Sequence, residues 1–236
     1  MHFLDRSTVA APDCLFNWNY EEKNWDDFTR AGAACKKQLR LALQRLLSQQ
    51  VIDDNADDEV EYLLGLRCAY CEGRIYHGGH IEHFRRKNPN HFPERTFEWT
   101  NLFLVCGSQD HCGHYKDRPV APAYNPNELI KPDEHNPDHY LYFHSSGQVR
   151  VRNGDGMTDA DRRRGAETIR VFHLDCRRLE GARHKALKLD SNTGILEALM
   201  GFAENDRNVF IGEEIEATKW EPFWTTIRHF FEKLHA

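Results

Sequence analysis

Four cysteines lie within 45 residues of one another, and their spacing is that of a metal site. Cys68 and Cys71 form a C-x-x-C pair, and Cys106 and Cys112 follow further along the chain. A C-x-x-C turn brings two thiolates to one ion, so the first pair predicts one half of a tetrahedral zinc site. Cys106 and Cys112 would supply the other half, with His111 as an alternative for one ligand. We predict structural zinc and not a redox pair, because no thioredoxin-like βαβ pattern surrounds the motif.

A second group of candidate residues surrounds Glu82. Six of the fourteen histidines lie between residues 77 and 114, and two of them, His80 and His83, bracket this carboxylate. On an extended segment the side chains of His80 and Glu82 share one face, whereas His83 points elsewhere or lies in the following turn. That arrangement can separate metal ligands from a base.

The order of these motifs resembles the HNH nuclease family. The family pattern is C-x-x-C, Asp-His-Ile, Asn-Leu and Cys…Lys. The chain has, in the same order, Cys68-x-x-Cys71, Glu82-His83-Phe84, Thr100-Asn101-Leu102 and Cys106…Cys112-x-His114-x-Lys116. The resemblance implies a zinc-stabilised ββα core (His-Me finger), in which a β-hairpin and a helix are clasped by the four-cysteine ion.

The resemblance also implies a role for each matching residue. Glu82 stands at the position of the metal-binding acid, and His83 stands at the general base. Asn101 matches the central Asn, whose amide braces the loop that orients the base. His114 is the candidate for the last ligand of the catalytic ion, and His80 is an alternative to Glu82 or His114.

These residue types suit hydrolysis of a phosphodiester. Neutral imidazole is a natural base near pH 7, because its unperturbed pKa is about 6.5. A carboxylate and an imidazole would suit Mg²⁺ or Mn²⁺, which would act as a Lewis acid. The zinc would be structural, since four protein ligands leave it no open position.

Basic residues close to the base are candidates for binding phosphates. Arg85, Arg86 and Lys87 directly follow His83 and could clamp flanking phosphates, although a solvated charge run is the alternative. Lys116 matches a basic residue that lies near the phosphates in the family.

One branch of the family shares wider features with the chain. The segments 80–85, 98–102 and 106–116 resemble the PtuB-like HNH subunits of Septu-type and retron-associated anti-phage defence systems, and the similarity extends to 166–169 and 174–179. This resemblance implies a nuclease that cuts DNA or RNA, tRNA included, under the control of a PtuA-like ATPase. In a retron-associated system, a reverse transcriptase and its RNA–DNA product would be further partners.

Two other hypotheses remain. A zinc-binding module without catalysis, which contacts nucleic acid or protein, would explain the cysteines but leave Glu82, His83, Asn101 and His114 as coincidences. A zinc hydrolase acting on small molecules would need an open zinc site with three protein ligands.

The elements around these motifs predict an α+β, mainly helical chain in three parts. A helical segment covers 1–66, with a long amphipathic helix from Trp25 to Val51 that a capping box at Asn24 begins. The zinc core covers 67–120. An accessory region covers 121–236, with a proline-rich loop, a β-hairpin over 140–151 and helices from about residue 159 that break near Gly181, Asn192 and Gly212.

Composition narrows the class of protein. The chain has 236 residues and a net charge of −6, with seven basic against twelve acidic residues in 1–66, eleven against six in 150–188, and four against nine in 189–236. A nucleic-acid phosphate backbone would bind the basic segment 150–188, and the acidic segments at the two ends would face solvent or a protein partner. No apolar run approaches the roughly 18 residues of a membrane span, and no signal peptide is apparent, so we expect a cytoplasmic protein. In that reducing compartment the isolated Cys14, Cys35 and Cys176 are expected to be buried thiols.

Overall fold

The computed structural model describes residues 1–48, 66–76, 79–121, 123–188 and 201–235. Within these ranges the protein is a mixed, mainly helical α/β structure, as predicted. The helices are α1 (Trp25–Ala31), α2 (Ala33–Ser48), α3 (Cys112–Lys116), α4 (Pro137–Tyr140), α5 (Asp159–Phe172), α6 (Arg177–Ala186), α7 (Glu204–Ala217) and α8 (Trp224–His235). The strands are β1 (His80–His83), β2 (Leu102–Val105), β3 (Leu141–Phe143) and β4 (Val149–Val151).

The long N-terminal helix is divided into α1 and α2. The predicted capping box is present, because Asn24 and Asp27 bond reciprocally to each other's backbone N–H. The helix is interrupted at Gly32, where a Cβ would lie 2.7 Å from Phe28 O and 2.7 Å from the Trp18 ring. The predicted end of this helix, from residue 49 to Val51, lies outside the described residues.

The sheet that carries the candidate site consists of β1 and β2. The two strands are antiparallel, and His83 pairs with Leu102 while His80 pairs with Val105. All four residues of β2 are buried, and α2 packs against this strand. Cys106 follows β2 directly, and α3 begins six residues later. The strands β1 and β2 and the short helix α3 therefore follow one another along the chain, and the residues of the candidate site lie on them or directly beside them.

The predicted hairpin forms the second sheet, with β3 and β4 antiparallel. Its turn contains Gly147 at φ +86°, a conformation that favours glycine, and a Cβ there would collide with the backbone of Glu180. Helix α5 begins at the predicted position, with Thr158 and Asp161 forming a capping box.

Two predicted helix breaks are wrong. Gly181 lies inside α6, and Gly212 lies inside α7. A glycine inside a helix costs only about 1 kcal/mol, which packing of the helix can outweigh. The third predicted break, near Asn192, lies outside the described residues.

The buried core joins the two sheets to the helices. The Tyr70 ring lies 4.3 Å from Phe172 of α5 and 5.9 Å from Phe103 of β2, measured between ring centroids. Leu39 and Leu43 of α2 are buried in the same cluster. These contacts place the segment around Cys68 between the N-terminal and C-terminal helices.

The cysteines outside the cluster only partly follow the prediction. Cys176 is a buried free thiol, as expected. Cys14 and Cys35 instead form a disulfide that ties the turn at Asp13–Asn17 to α2, so the prediction of two buried thiols is wrong. A spacing of 21 residues carries no sequence signal for this pairing, because the fold alone brings the two Cα atoms to 5.7 Å.

No helix within the described ranges is long and apolar enough to cross a membrane.

Candidate metal centre and the adjoining histidine site

The sulfurs of Cys68, Cys71, Cys106 and Cys112 all lie within 4.8 Å of one another. The Sγ atoms of Cys68 and Cys112 are 3.8 Å apart, and those of Cys71 and Cys106 are 3.9 Å apart. In a tetrahedral site with Zn–S bonds of about 2.3 Å, neighbouring sulfurs are about 3.8 Å apart. The four sulfurs could therefore hold a metal ion such as zinc, and they leave no position on it open.

Local backbone structure brings the first two cysteines together. Cys68 N–H donates to Gly73 O at 2.8 Å, and Glu72 N–H donates to Cys68 O at 3.0 Å. Glu72 completes this turn at φ +63°. The turn that carries Cys68 and Cys71 is joined to the sheet, because Ala69 N–H donates to Leu104 O of β2. Since Cys106 lies at the end of the same strand, the second pair of sulfurs is held against the first.

Because the sulfur cluster is buried, its cysteines can be ionised only if a positive charge lies close to them. Three of the four cysteines are buried, and burial raises the pKa of the Cys112 thiol well above its usual value. A bound cation would reverse this preference, since a metal-bound thiol is deprotonated. His111 Nδ1 lies 3.2 Å from Cys112 Sγ, where its N–H could donate to the thiolate. The four thiols thus lie together as potential ligands, and His111 lies against Cys112.

Arg183 is a residue near the cluster that the sequence analysis missed. Its side chain is fully buried in α6, and Nη1 donates to Leu174 O at 2.7 Å. Burial lowers the pKa of Arg183, whereas the negative charge that Cys71 and Glu72 can carry opposes this shift. Four thiolates around one Zn²⁺ carry a net charge of −2, so a buried guanidinium there offsets part of it. A lone arginine in a charged helix gives no sequence signal for such a role.

His83 is held in a single orientation at the end of β1. Its Nε2 donates to the backbone carbonyl of Thr96 at 3.0 Å, which leaves Nδ1 as the unprotonated nitrogen of the neutral ring. The Trp25 ring contacts it edge-on, with 4.4 Å between the centroids. Burial, helped by the charge of Lys87, lowers the pKa of His83 to about 3. The imidazole is therefore neutral at physiological pH, with Nδ1 unprotonated.

Glu82 forms a buried ion pair. Its Oε1 lies 2.8 Å from Lys116 Nζ, and its Oε2 lies 3.2 Å from His80 Nε2. Burial opposes ionisation of Glu82, but Lys116 and His80 outweigh it and lower the pKa of Glu82 to about 2. The carboxylate is thus charged, with one oxygen on the lysine and the other directed at the imidazole.

The remaining candidate ligand of the second ion is His114. Its ring stacks on that of His80, with 4.0 Å between the centroids. The structure thus brings His80, Glu82 and His114 together. Among the described residues, however, the four thiols are the one group of three or more potential ligands whose donor atoms all lie within 4.8 Å of one another. The second group thus does not meet this criterion, although His80 Nε2 and Glu82 Oε2 are 3.2 Å apart.

Asn101 fixes the loop that follows the base. Its Oδ1 accepts from Arg85 N–H at 2.7 Å, and its Nδ2 donates to Arg85 O and Arg95 O at 3.0 Å each. The side chain is buried, so these bonds exclude water. The braced loop includes Thr96, whose carbonyl orients His83.

The basic residues are arranged differently from the expectation. Lys116, expected near phosphates, is buried, and its Nζ also donates to His83 O at 3.0 Å. Arg85 donates to Asn127 Oδ1 at 2.7 Å, and Arg86 pairs with Asp117 at 2.9 Å. Of the four, Lys87 lines the cavity beside His83. The ammonium of Lys116 is committed to Glu82 because a buried carboxylate needs a counter-charge.

A cavity of about 450 Å³ gives solvent access to the histidine site. Its walls include His80, Glu82, His83 and His114, together with Trp25 and two basic residues of α2, Lys36 and Arg40. Lys36 and Arg40 are four residues apart, so they share one face of the helix. The sequence analysis missed these three residues, because nothing local indicates that the N-terminal helices cover the site.

Chemically, the cavity combines a neutral imidazole, an ionised carboxylate and further imidazoles beside a basic rim. No model of a known protein family matches this chain, and no curated protein matches it either.

Proposed function

We propose that the chain is a metal-dependent nuclease of the HNH type, in which His83 activates the water that attacks a phosphodiester. The observation that carries the proposal is the orientation of His83. Its Nε2 is occupied by Thr96 O, and its other nitrogen is left with a lone pair in a ring that lines a cavity. A general base needs this combination of a fixed tautomer and access to substrate.

The surrounding elements support this proposal. β1, β2 and α3 succeed one another in the order that a ββα core requires, and the four thiols lie beside them. A zinc ion there would fix the end of β2, which pairs with His80 of β1, to the helix that begins at Cys112 and carries His114. Working geometry at a catalytic site has to be held to within about 0.5 Å, which such a clasp favours.

The donors next to the base suit a divalent ion. Two ligands at about 2.1 Å and at right angles on one ion are about 3.0 Å apart, and His80 Nε2 and Glu82 Oε2 are separated by 3.2 Å. Carboxylate and imidazole donors suit Mg²⁺ or Mn²⁺, with Mn²⁺ more tolerant of imidazole. When bound, such an ion would stabilise the negative charge that develops at phosphorus. His114 would complete the ligand set.

Charge on the cavity rim favours a polyanionic substrate. Lys36, Arg40 and Lys87 lie on its walls, and Asp117 is an acid of the rim. Phosphate contacts from such residues position a strand but carry no sequence information. The proposed substrate is therefore DNA or RNA, tRNA included.

The experiment compares His83→Ala with His91→Ala, a matched control because His91 is an exposed histidine that does not line the cavity. Zinc-loaded proteins are incubated with labelled single-stranded DNA, duplex DNA and RNA, with Mg²⁺ or Mn²⁺. Loss of a general base lowers the rate by about 10²–10⁴-fold, so His83→Ala should be nearly inactive. Zinc content and melting temperature should match those of the control.

Two results would contradict the proposal. Cleavage activity that is retained in His83→Ala would show that His83 is not the general base. Tight nucleic-acid binding by the wild-type protein without cleavage under either metal would support the second hypothesis, a non-catalytic zinc module. That hypothesis has one observation in its favour: Glu82, a candidate ligand, is already neutralised by Lys116.

The resemblance to PtuB-like subunits extends the proposal to partners and location. The nuclease would act in an anti-phage defence system in the cytoplasm, where the Cys14–Cys35 disulfide would have to resist reduction, and it would be restrained or delivered by a PtuA-like ATPase. A retron reverse transcriptase with its RNA–DNA product would be a further partner. Co-purification of the chain with the product of a neighbouring ATPase gene tests this part.

A further inference from the structure

Two lysines on the wall of the cavity at His83 carry a charge that no acid balances. Lys36 belongs to α2 and Lys87 to the loop that follows β1, and both line this cavity. Among the residues that the structure describes, neither ammonium group forms an ion pair. Lys36 Nζ donates to the neutral Thr29 Oγ1 at 3.4 Å, and Lys87 Nζ lies 6.0 Å from the centroid of the Trp25 ring. Both contacts leave the charge of the lysine uncompensated.

The acids of the same cavity are already neutralised by other cations. Glu82 Oε1 lies 2.8 Å from Lys116 Nζ. Asp117 Oδ1 lies 2.8 Å from the same ammonium and 2.9 Å from Arg86 Nε. Two acids therefore share two cations, and the positive charge of the two wall lysines remains. This charge favours an anion inside the cavity.

The catalytic groups are recessed in this cavity. The side chain of His83 is 3% exposed and that of Glu82 is 5% exposed. Trp25 of α1 contacts the His83 ring edge-on at 4.4 Å, and Lys36 places α2 on the wall as well. The volume of about 450 Å³ lies within the range of sites that enclose one small ligand, roughly 300–1,000 Å³. A phosphodiester can reach His83 only if the strand that carries it enters the cavity.

A single strand can enter such a cavity more easily than a duplex. Duplex DNA is stiff over about 150 base pairs, so one of its phosphates cannot move inward without the paired strand and the neighbouring base pairs. A single strand is free to bend at each phosphate. Nucleic-acid enzymes whose reacting groups are recessed in a pocket act on single strands or on nucleotides that leave the duplex. The shape of the cavity therefore favours an unpaired strand, and its charge favours the phosphates of that strand.

We propose that the cavity takes single-stranded nucleic acid, with phosphates of the strand on Lys36 and Lys87, and that it excludes duplexes. This inference rests on the proposed nuclease function, whose substrate class it narrows. The two lysines belong to different elements, so they would hold the strand from two walls of the cavity. Phosphate contacts of this kind position a strand without reading its sequence. Unpaired DNA and unpaired RNA share this chemistry.

The first test measures binding separately from cleavage. The zinc-loaded full chain, without added Mg²⁺ or Mn²⁺, is titrated into a labelled DNA strand, an RNA strand of the same sequence and the blunt-ended duplex of each. Fluorescence anisotropy is recorded at several salt concentrations. Lys36→Gln and Lys87→Gln are compared with Lys37→Gln, a matched control because Lys37 is the exposed neighbour of Lys36 on α2 and does not line the cavity. Melting temperatures verify that each variant is folded.

The wild-type protein should bind single strands at least about tenfold more tightly than duplexes, and the tighter of the two strands identifies DNA or RNA as the source. Lys36→Gln and Lys87→Gln should each bind the strand about tenfold more weakly, which corresponds to the loss of one charge-assisted hydrogen bond. Each should also reduce the slope of log K against log salt by about 0.7, the contribution of one phosphate contact on a single strand. Lys37→Gln should match the wild type.

The second test adds Mg²⁺ or Mn²⁺ and uses a hairpin with a long unpaired loop, which should be cut in the loop and not in the stem. Absence of saturable binding of either strand to the wild type would overturn the inference. Duplexes that are bound or cut as well as single strands would do the same, as would lysine variants that both bind like Lys37→Gln. Lysine-dependent strand binding without cleavage under either metal would contradict the proposed nuclease and leave this inference standing. Equal cleavage of duplexes and single strands would leave the nuclease standing and remove this inference.

Discussion

Lys116 Nζ lies 2.8 Å from Glu82 Oε1, and both side chains are almost completely removed from solvent. The pair joins α3 to β1, so it couples the helix that carries His114 to the strand that carries His83. The Glu82 charge raises the pKa of Lys116 despite burial, and Lys116 lowers that of Glu82. Two charges that stabilise each other in this way become costly when separated.

Lys116→Met should therefore destabilise the protein by about 3–5 kcal/mol, because it leaves a buried carboxylate without its counter-charge. Glu82→Gln in the same chain should recover part of that loss. The free energy of unfolding of the two single variants and the double variant measures the coupling between them. Additive effects would show that the two side chains do not interact, against the 2.8 Å contact.

Removal of the metal should unfold the centre of the protein. The four thiols lie among buried core residues, so bonds from them to a metal ion would contribute directly to folding. We expect Cys106→Ser to lower the zinc content and the melting temperature together, and chelation of the wild type to do the same. Cys176→Ser is the matched control, since Cys176 is a buried cysteine outside the cluster. Equal zinc content in the two variants would contradict a four-thiol ligand set.

Sequence reasoning predicted what depends on local geometry. The C-x-x-C spacing predicted that Cys68 and Cys71 lie together, and strand alternation predicted that His80 and Glu82 share a face. It did not predict that Lys116 turns inward, because the need for a counter-charge at Glu82 arises only once both are buried. Nor did it predict Trp25 over His83, since that contact joins residues 58 positions apart.

The disulfide between Cys14 and Cys35 should stabilise the N-terminal helices. The disulfide closes a loop and so lowers the conformational entropy of the unfolded chain. For a loop of this size, that loss stabilises the folded state by about 3 kcal/mol. Cys14→Ser should lower the melting temperature of the oxidised protein by the amount that reduction lowers that of the wild type. Mild reductant should then have no further effect on the variant. A wild-type melting temperature that is insensitive to reductant would contradict this.

Asn101 should be needed for activity beyond its effect on stability. Asn101→Asp keeps the acceptor for Arg85 N–H but loses the two N–H donors to Arg85 O and Arg95 O. We expect a loss of about 2 kcal/mol in stability, the cost of unsatisfied buried groups. Cleavage should fall further than the folded fraction does, because the loop also holds Thr96 against His83. A cleavage rate that follows the folded fraction alone would assign Asn101 a purely structural role.

Gly113 is required by the position of Glu82. A Cβ at residue 113 would lie 2.6 Å from Glu82 Cδ, so any side chain there has to displace a carboxylate that Lys116 holds in place. We expect Gly113→Ala to lower stability and to abolish cleavage. Gly181→Ala is the control, because none of the residues that the structure describes lies within 4 Å of a Cβ added at Gly181 in α6. Alanine there should stabilise the protein by about 1 kcal/mol. Thermal denaturation of both variants decides the matter, and a Gly113→Ala protein as stable and active as Gly181→Ala would mean that Glu82 does not occupy this position.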